Sequence, residues 1–108
     1  MIYIDYLLKN FGDANLKGFQ CLCYLYNNCD LNRNLCDIYK EIEEKLNLSG
    51  SCERNIRFYI EKIISQMGLE KLESILKCKA DKPEKFSNKA FIIAVKLRAE
   101  NEEWVIIR

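Results

Sequence analysis

The apolar residues of this chain recur at three- and four-residue spacing almost from end to end, a periodicity that fits helices and little else. Leu35, Ile38, Tyr39, Ile42 and Leu46 trace one stripe. Ile56, Ile60, Ile63 and Met67, assisted by Tyr59 and Ile64, trace another. A single Pro and four Gly among 108 residues argue against a turn-rich β fold and equally against disorder. The expected architecture is all-α, a six-helix single domain, long enough to bury one core without covalent staples.

The stripes divide the chain. Ile4, Leu7, Leu8 and Phe11 share a face of a first short helix that Gly12 ends, and Asp13 or Asn15 is placed to cap a second. In the second helix Leu16, Phe19, Cys23 and Tyr26, or alternatively Leu22 and Leu25, form a broad apolar side. The polar run over 27–34 marks a loop before the third helix, whose exposed side is Lys40, Glu41, Glu43, Glu44 and Lys45. A break at 47–51 offers two hydroxyl caps, and a fourth helix runs from Ser51 to the closing Gly68. Leu69, Leu72, Ile75 and Leu76 predict a short fifth helix, followed by a basic loop around Pro83. Ser87 or Asn88 caps a sixth helix, with Phe91, Ile92 and Val95 inward, joined by Leu97 or Ala99. The closing Trp104, Val105, Ile106 and Ile107 are apolar enough to dock back on the body or to meet a partner. No internal repeat, linker or second domain is visible.

Several function classes are excluded early. No apolar run approaches the eighteen residues of a membrane span, and Asp5 and Lys9 near the start speak against a signal peptide, so a cytoplasmic protein is expected. The six cysteines fall mostly within helix-patterned segments and lack the paired turn spacing of a zinc knuckle. They are expected to be reduced packing or surface thiols, with no metal and no cofactor. His is absent, which removes the commonest general base. With no Gly-rich phosphate loop and no nucleophile beside a base, a catalytic role is not expected.

What remains is a binding chemistry. The third helix, a four- or five-residue turn containing Gly50 and the fourth helix read as a helix-turn-helix over about Leu35 to Met67. Its small shared core would be Ile38, Ile42 and Leu46 against Ile56 and Ile60, with Gly50 supplying unusual backbone angles in the turn. The start of the second helix of such a motif enters the major groove, and this chain places Glu53, Arg54, Asn55, Arg57 and Phe58 there. Arg54 and Arg57, three apart, can donate in pairs to guanine, Glu53 can accept from cytosine, and Asn55 adds a further polar contact. Ser49 and Ser51 stand where hydroxyls and helix amides can hold a phosphate, and Lys62 is a further phosphate contact. The net charge is only +1 and residues 33–62 balance to neutral. Residues 77–98, by contrast, carry a net +5, and Lys82, Lys85 and Lys89 within them suit a phosphate backbone.

Three dispersed segments carry a family likeness. Ile4, Leu8 and Gly12 precede Leu16, Lys17, Gly18 and Phe19; residues 42–47 precede Glu53, Arg54, Asn55, Ile56 and Arg57, then Ile60 and Glu61; Lys82 and Pro83 precede Asn88, Phe91, Ile92 and Val95. In order and spacing, over about residues 2–100, the chain resembles the C-terminal effector domain of the sporulation initiation regulators (stage zero, protein A) of endospore-forming Firmicutes. The resemblance implies a six-helix fold binding short boxes of double-stranded DNA, as a homodimer or in tandem copies, and touching RNA polymerase or its sigma factor. It also implies that Glu53 and Arg54 are the base-reading pair, with Arg57 a further polar position on the same helix. Compared with the family pattern, the segment from Asn47 to Glu53 is one residue shorter, and Cys52 stands where longer side chains are usual. The family's regulators carry a receiver domain ahead of this one, so the chain is expected to be a fragment or a stand-alone paralogue.

The leading expectation is thus a sequence-specific transcription regulator. The competing one is a protein-interaction module of the same fold that has lost DNA binding and sequesters a regulator or a polymerase subunit.

Overall fold

The computed structural model describes residues 2–12 and 16–107, with side chains described over 2–12 and 17–102. Six helices and no strand occur among the described residues: α1 (Ile2–Asn10), α2 (Leu16–Asn28), α3 (Leu35–Lys45), α4 (Cys52–Met67), α5 (Leu69–Leu76) and α6 (Asn88–Ile107). The radius of gyration is 13.3 Å, against roughly 13 Å for a compact chain of this length.

α4 is the central element and packs against α2, α3, α5 and α6. Its buried stripe is Cys52, Ile56, Tyr59, Ile60 and Ile63, each large side chain stabilising the fold by about 1.5–3 kcal/mol. The Tyr59 ring lies between Phe19 and Phe91, at centroid distances of 6.5 and 6.3 Å. Its hydroxyl donates to the Gly12 carbonyl at 2.8 Å. α2 comes so close to α4 that only a residue without a side chain fits at the crossing. A Cβ built on Gly18 would lie 2.7 Å from Tyr59 Cβ and 3.2 Å from the Asn55 carbonyl carbon, with the Asn55 oxygen nearer still.

Most expected inward faces are observed, and the exceptions have physical reasons. In α1, Tyr6 and Leu7 are buried, Ile4 is half-buried and Leu8 is 50% exposed. The Tyr6 ring turns the helix inward because it packs edge-on to Phe11 while its hydroxyl reaches the Ile75 carbonyl. In α2 the inward side is Cys21, Leu22, Leu25 and Tyr26, with Phe19 and Cys23 only half-buried. Tyr26 is drawn in by a 2.7 Å hydrogen bond to the Ile92 carbonyl, which satisfies its buried hydroxyl. In α6, Ala99 faces inward and Leu97 is 58% exposed.

The turn between α3 and α4 differs from expectation in its key residue. Gly50 does not adopt a left-handed conformation; Asn47 does, with φ 51°. Leu48 N–H donates to Glu43 O at 3.0 Å and Asn47 N–H to Glu44 O at 3.3 Å, the bond pattern of a Schellman cap. Asn tolerates this conformation better than other non-Gly residues. The expected caps at Asp13 or Asn15 and the docking of residues 104–107 lie outside the described residues and side chains.

Candidate nucleic-acid interface

The start of α4 is held by three neighbouring elements. Ser51 is its N-cap, with its hydroxyl accepting from Arg54 N–H at 3.2 Å. The Glu43 carboxylate, from α3, accepts from Cys52 N–H at 2.8 Å, so a negative charge already stands at the positive end of the helix. The Cys52 side chain is buried and exchanges a hydrogen bond with the Cys21 thiol of α2. That bond, together with burial, pushes the Cys52 thiol well above its ordinary range, while on Cys21 the same bond outweighs burial and lowers it. The third tether comes from the start of α6. Asn88 donates to the Glu53 carbonyl at 3.0 Å and to the Tyr39 hydroxyl at 3.3 Å.

These tethers leave one side of α4 free. Arg54, Arg57, Phe58 and Glu61 are exposed along it. Glu53 is also exposed and lies 3.8 Å from the Arg57 guanidinium, while that guanidinium stands 5.9 Å from the Phe58 ring centroid. Asn55 is placed differently from the other residues expected to read bases. It lies on the α2 side, its amide donates to the Ser51 carbonyl at 2.9 Å, and its backbone faces Gly18.

The lysine-bearing loop between α5 and α6 folds onto this region. Lys82 and Lys85 exchange backbone hydrogen bonds around Pro83 and Glu84, and Glu84 takes φ 60°. Pro followed by a left-handed residue is the pattern of a type II turn. The loop is tied to α6 by Ser87 N–H donating to the Asp81 carboxylate at 2.8 Å, and Ser87 Oγ caps α6 by accepting from Ala90 N–H. The result is a cleft of about 230 Å³ that brings Glu53, Arg57 and Glu61 of α4 together with Lys82, Lys85 and Asn88. Lys89 faces another way, into a groove with residues 31–35, Ile92 and Ile93. Lys62 is exposed on α4 and does not line the cleft, and Ser49 is exposed in the turn.

Two residues of this region carried no strong local signal. Asn88 reads as a helix cap, and its bonds to Glu53 and Tyr39 bridge 35 and 49 positions. Phe58 falls within the groove-facing segment read from the sequence but is assigned no contact there, although its position four after Arg54 puts both on one helical face.

Among the described residues no group of three Cys, Asp or Glu is arranged to hold a metal ion. Cys21 and Cys52 are buried, Cys36 and Cys78 exposed, and all six cysteines are free thiols. No helix of the described residues is long and apolar enough to cross a membrane. Compared with known proteins, the chain matches no family model, and no curated protein or solved structure is significantly similar to it.

Proposed function

We propose that the chain is a sequence-specific DNA-binding transcription regulator in which α3 and α4 form the helix-turn-helix and α4 is the recognition helix. The observation that carries the reading is the free side of the first two turns of α4, where Arg54 and Arg57 stand exposed and Arg57 shares a cleft with Lys82 and Lys85. Long donors on the first turns of an exposed helix are what base edges in the major groove require. Arg54 is the prime base contact, with Glu53 and Arg57 beside it. Lys82 and Lys85, on the flank, neutralise phosphates, and Ser49, Ser51 and Lys62 border the same footprint, whereas Lys89, turned into the groove with residues 31–35, is left out of it. The dispersed likeness to sporulation-regulator effector domains supports the reading. It also suggests binding in tandem copies, contact with RNA polymerase or its sigma factor, and action on DNA in the cytoplasm.

The test is selection of a preferred duplex from a random pool, followed by mobility shifts. Arg54→Ala should lose sequence preference worth about 1–3 kcal/mol, whereas Lys82→Ala and Lys85→Ala should weaken all duplexes alike and each lower the salt slope by about one. A wild-type protein that prefers no duplex at moderate salt would sink the proposal.

A second reading, the same fold as a protein-binding module, is favoured by one observation. Ile93 and Leu97, four apart on α6, are 41% and 58% exposed. They border a groove of about 400 Å³ with Leu76, Ala90 and Ala94. Co-purification of a protein partner without any duplex shift is the outcome that would select it.

A further inference from the structure

Phe58 is 44% exposed on the free side of α4, among the larger apolar surfaces that the described residues present. Single exposed apolar residues are ordinary on protein surfaces. The placement of this one is not. From Arg54 to Phe58 is one turn, about 6 Å along the helix and roughly 40° around it, so the two side chains project from nearly one line. The Arg57 guanidinium stands beside the ring, 5.9 Å from its centroid, and Arg57 and Glu61 flank it on the same side. The ring is thus embedded in the charged surface that the proposed function aims into the major groove. In that groove only one base displays an apolar group, the C5-methyl of thymine, and a phenylalanine ring is a suitable contact for it.

We infer that Phe58 is a specificity-determining residue that packs on the C5-methyl of a thymine next to the base read by Arg54. The inference rests on the DNA-binding reading of α4 and deepens it. Arginine and glutamate read hydrogen-bonding edges, whereas Phe58 reads shape and hydrophobicity at a position where they make no contact. The neighbouring guanidinium braces the ring, so little side-chain freedom is lost when the base arrives.

The experiment uses the whole chain and its selected duplex. Each thymine is replaced in turn by deoxyuridine, which keeps the pairing edge and removes only the methyl, and Kd is measured by fluorescence anisotropy. The wild-type protein should lose about fourfold in affinity at one thymine, the effect of one buried methyl. Phe58→Ala should bind the thymine and deoxyuridine duplexes equally, and selection with that variant should relax preference at the same position. Its unchanged thermal midpoint would show that the fold is intact, as expected for an exposed side chain. Sequence-selective binding that is indifferent to every thymine methyl overturns this inference alone, as does a deoxyuridine penalty that persists in Phe58→Ala. Absence of any duplex preference overturns the DNA-binding reading and this inference with it.

Discussion

Replacing Gly18 by Ala sets two effects of opposite sign against each other, and the structure says which prevails. Alanine is the better helix former by about 1 kcal/mol, so in an open position within α2 the substitution would stabilise the chain. At the α2–α4 crossing, however, the added Cβ would lie 2.7 Å from Tyr59 Cβ and even closer to the Asn55 carbonyl oxygen. Neither obstacle can rotate away, because one is backbone and the other is the root of a side chain wedged between Phe19 and Phe91. To reach an ordinary contact near 3.4 Å, one helix must retreat by about 0.7 Å to clear Tyr59 Cβ and by about 1 Å to clear the Asn55 oxygen. Overpacking of this kind costs about 1–3 kcal/mol, and separating the helices also loosens contacts around Cys21, Leu22 and Ile56. The net expectation is destabilisation by about 2 kcal/mol, which lowers the thermal midpoint by roughly 10 °C for a domain of this size. Circular dichroism melts of wild type and Gly18→Ala read it directly. Gly50→Ala is the control, since a Cβ there meets nothing within 4 Å, and it should leave stability unchanged or raise it by about 0.4–1 kcal/mol. If Gly18→Ala melts at or above the wild-type midpoint, the close crossing is not a real constraint and the reasoning fails.

Three other outcomes are expected. Asn47→Ala, which puts a β-carbon without a polar tip at φ 51°, should cost about 1 kcal/mol in urea unfolding, and Asn47→Gly should cost nothing. Acid should weaken the fold through Glu41 and Glu100. Hydrogen bonds from Arg33 hold the first below the ordinary 4.5, and those from Tyr3 and Lys96 do the same for the second. Because the folded values are depressed, this stabilisation is whole above that ordinary value and disappears as pH falls through the folded ones. The unfolding midpoint of wild type should therefore fall more steeply than that of Glu41→Gln from about pH 5 to pH 3. Finally, Cys36 and Cys78 should react with Ellman's reagent in the native protein, while the buried Cys21 and Cys52 should react only on unfolding. Equal rates for all thiols would contradict the α2–α4 packing.

What was legible in the sequence was what local periodicity encodes. The stripes over Ile38–Ile42 and Ile56–Ile63 placed α3 and α4 and their mutual core, because a helix repeats its inward face within a few residues. The errors arose where a distant partner decides. Leu8 yields the inside to Tyr6 because Phe11 and the Ile75 carbonyl receive the ring and its hydroxyl. Gly50 drew attention as the permissive residue of the turn, but the left-handed step is required two residues after α3 ends, and Asn47 occupies it. In the candidate interface, Arg54 and Arg57 were visible from their spacing, whereas the placement of Asn55 depends on α2 passing close by at Gly18. Nor could spacing show that Lys82 and Lys85 close over Glu53 and Arg57 while Lys89 faces away.

Those long-range contacts also explain why α4 can present a defined surface despite a short, polar approach. One side of the helix is fixed by the close backbone crossing at Gly18 and a second by the Glu43 carboxylate at Cys52 N–H, while Asn88 pins the Glu53 carbonyl from α6. Each contact acts on the backbone of α4, or on its first turn, rather than on the tips of its exposed side chains. The exposed side chains at Arg54, Arg57 and Phe58 are therefore not used to hold α4 in place, while the helix that carries them is over-determined. Such a division suits a recognition surface, because little ordering of the scaffold is required when a partner binds. It also assigns a physical role to the loop that Asn88 anchors. The helix itself is nearly neutral, with Glu53 offsetting Arg57 at 3.8 Å, so on the proposed reading any attraction for a polyanion must come from cations brought in from elsewhere. Lys82 and Lys85 are 25–32 residues distant from Glu53 and Arg57 in sequence and line the same cleft. On the proposed DNA-binding reading, affinity and specificity therefore fall to separate elements, joined by one asparagine.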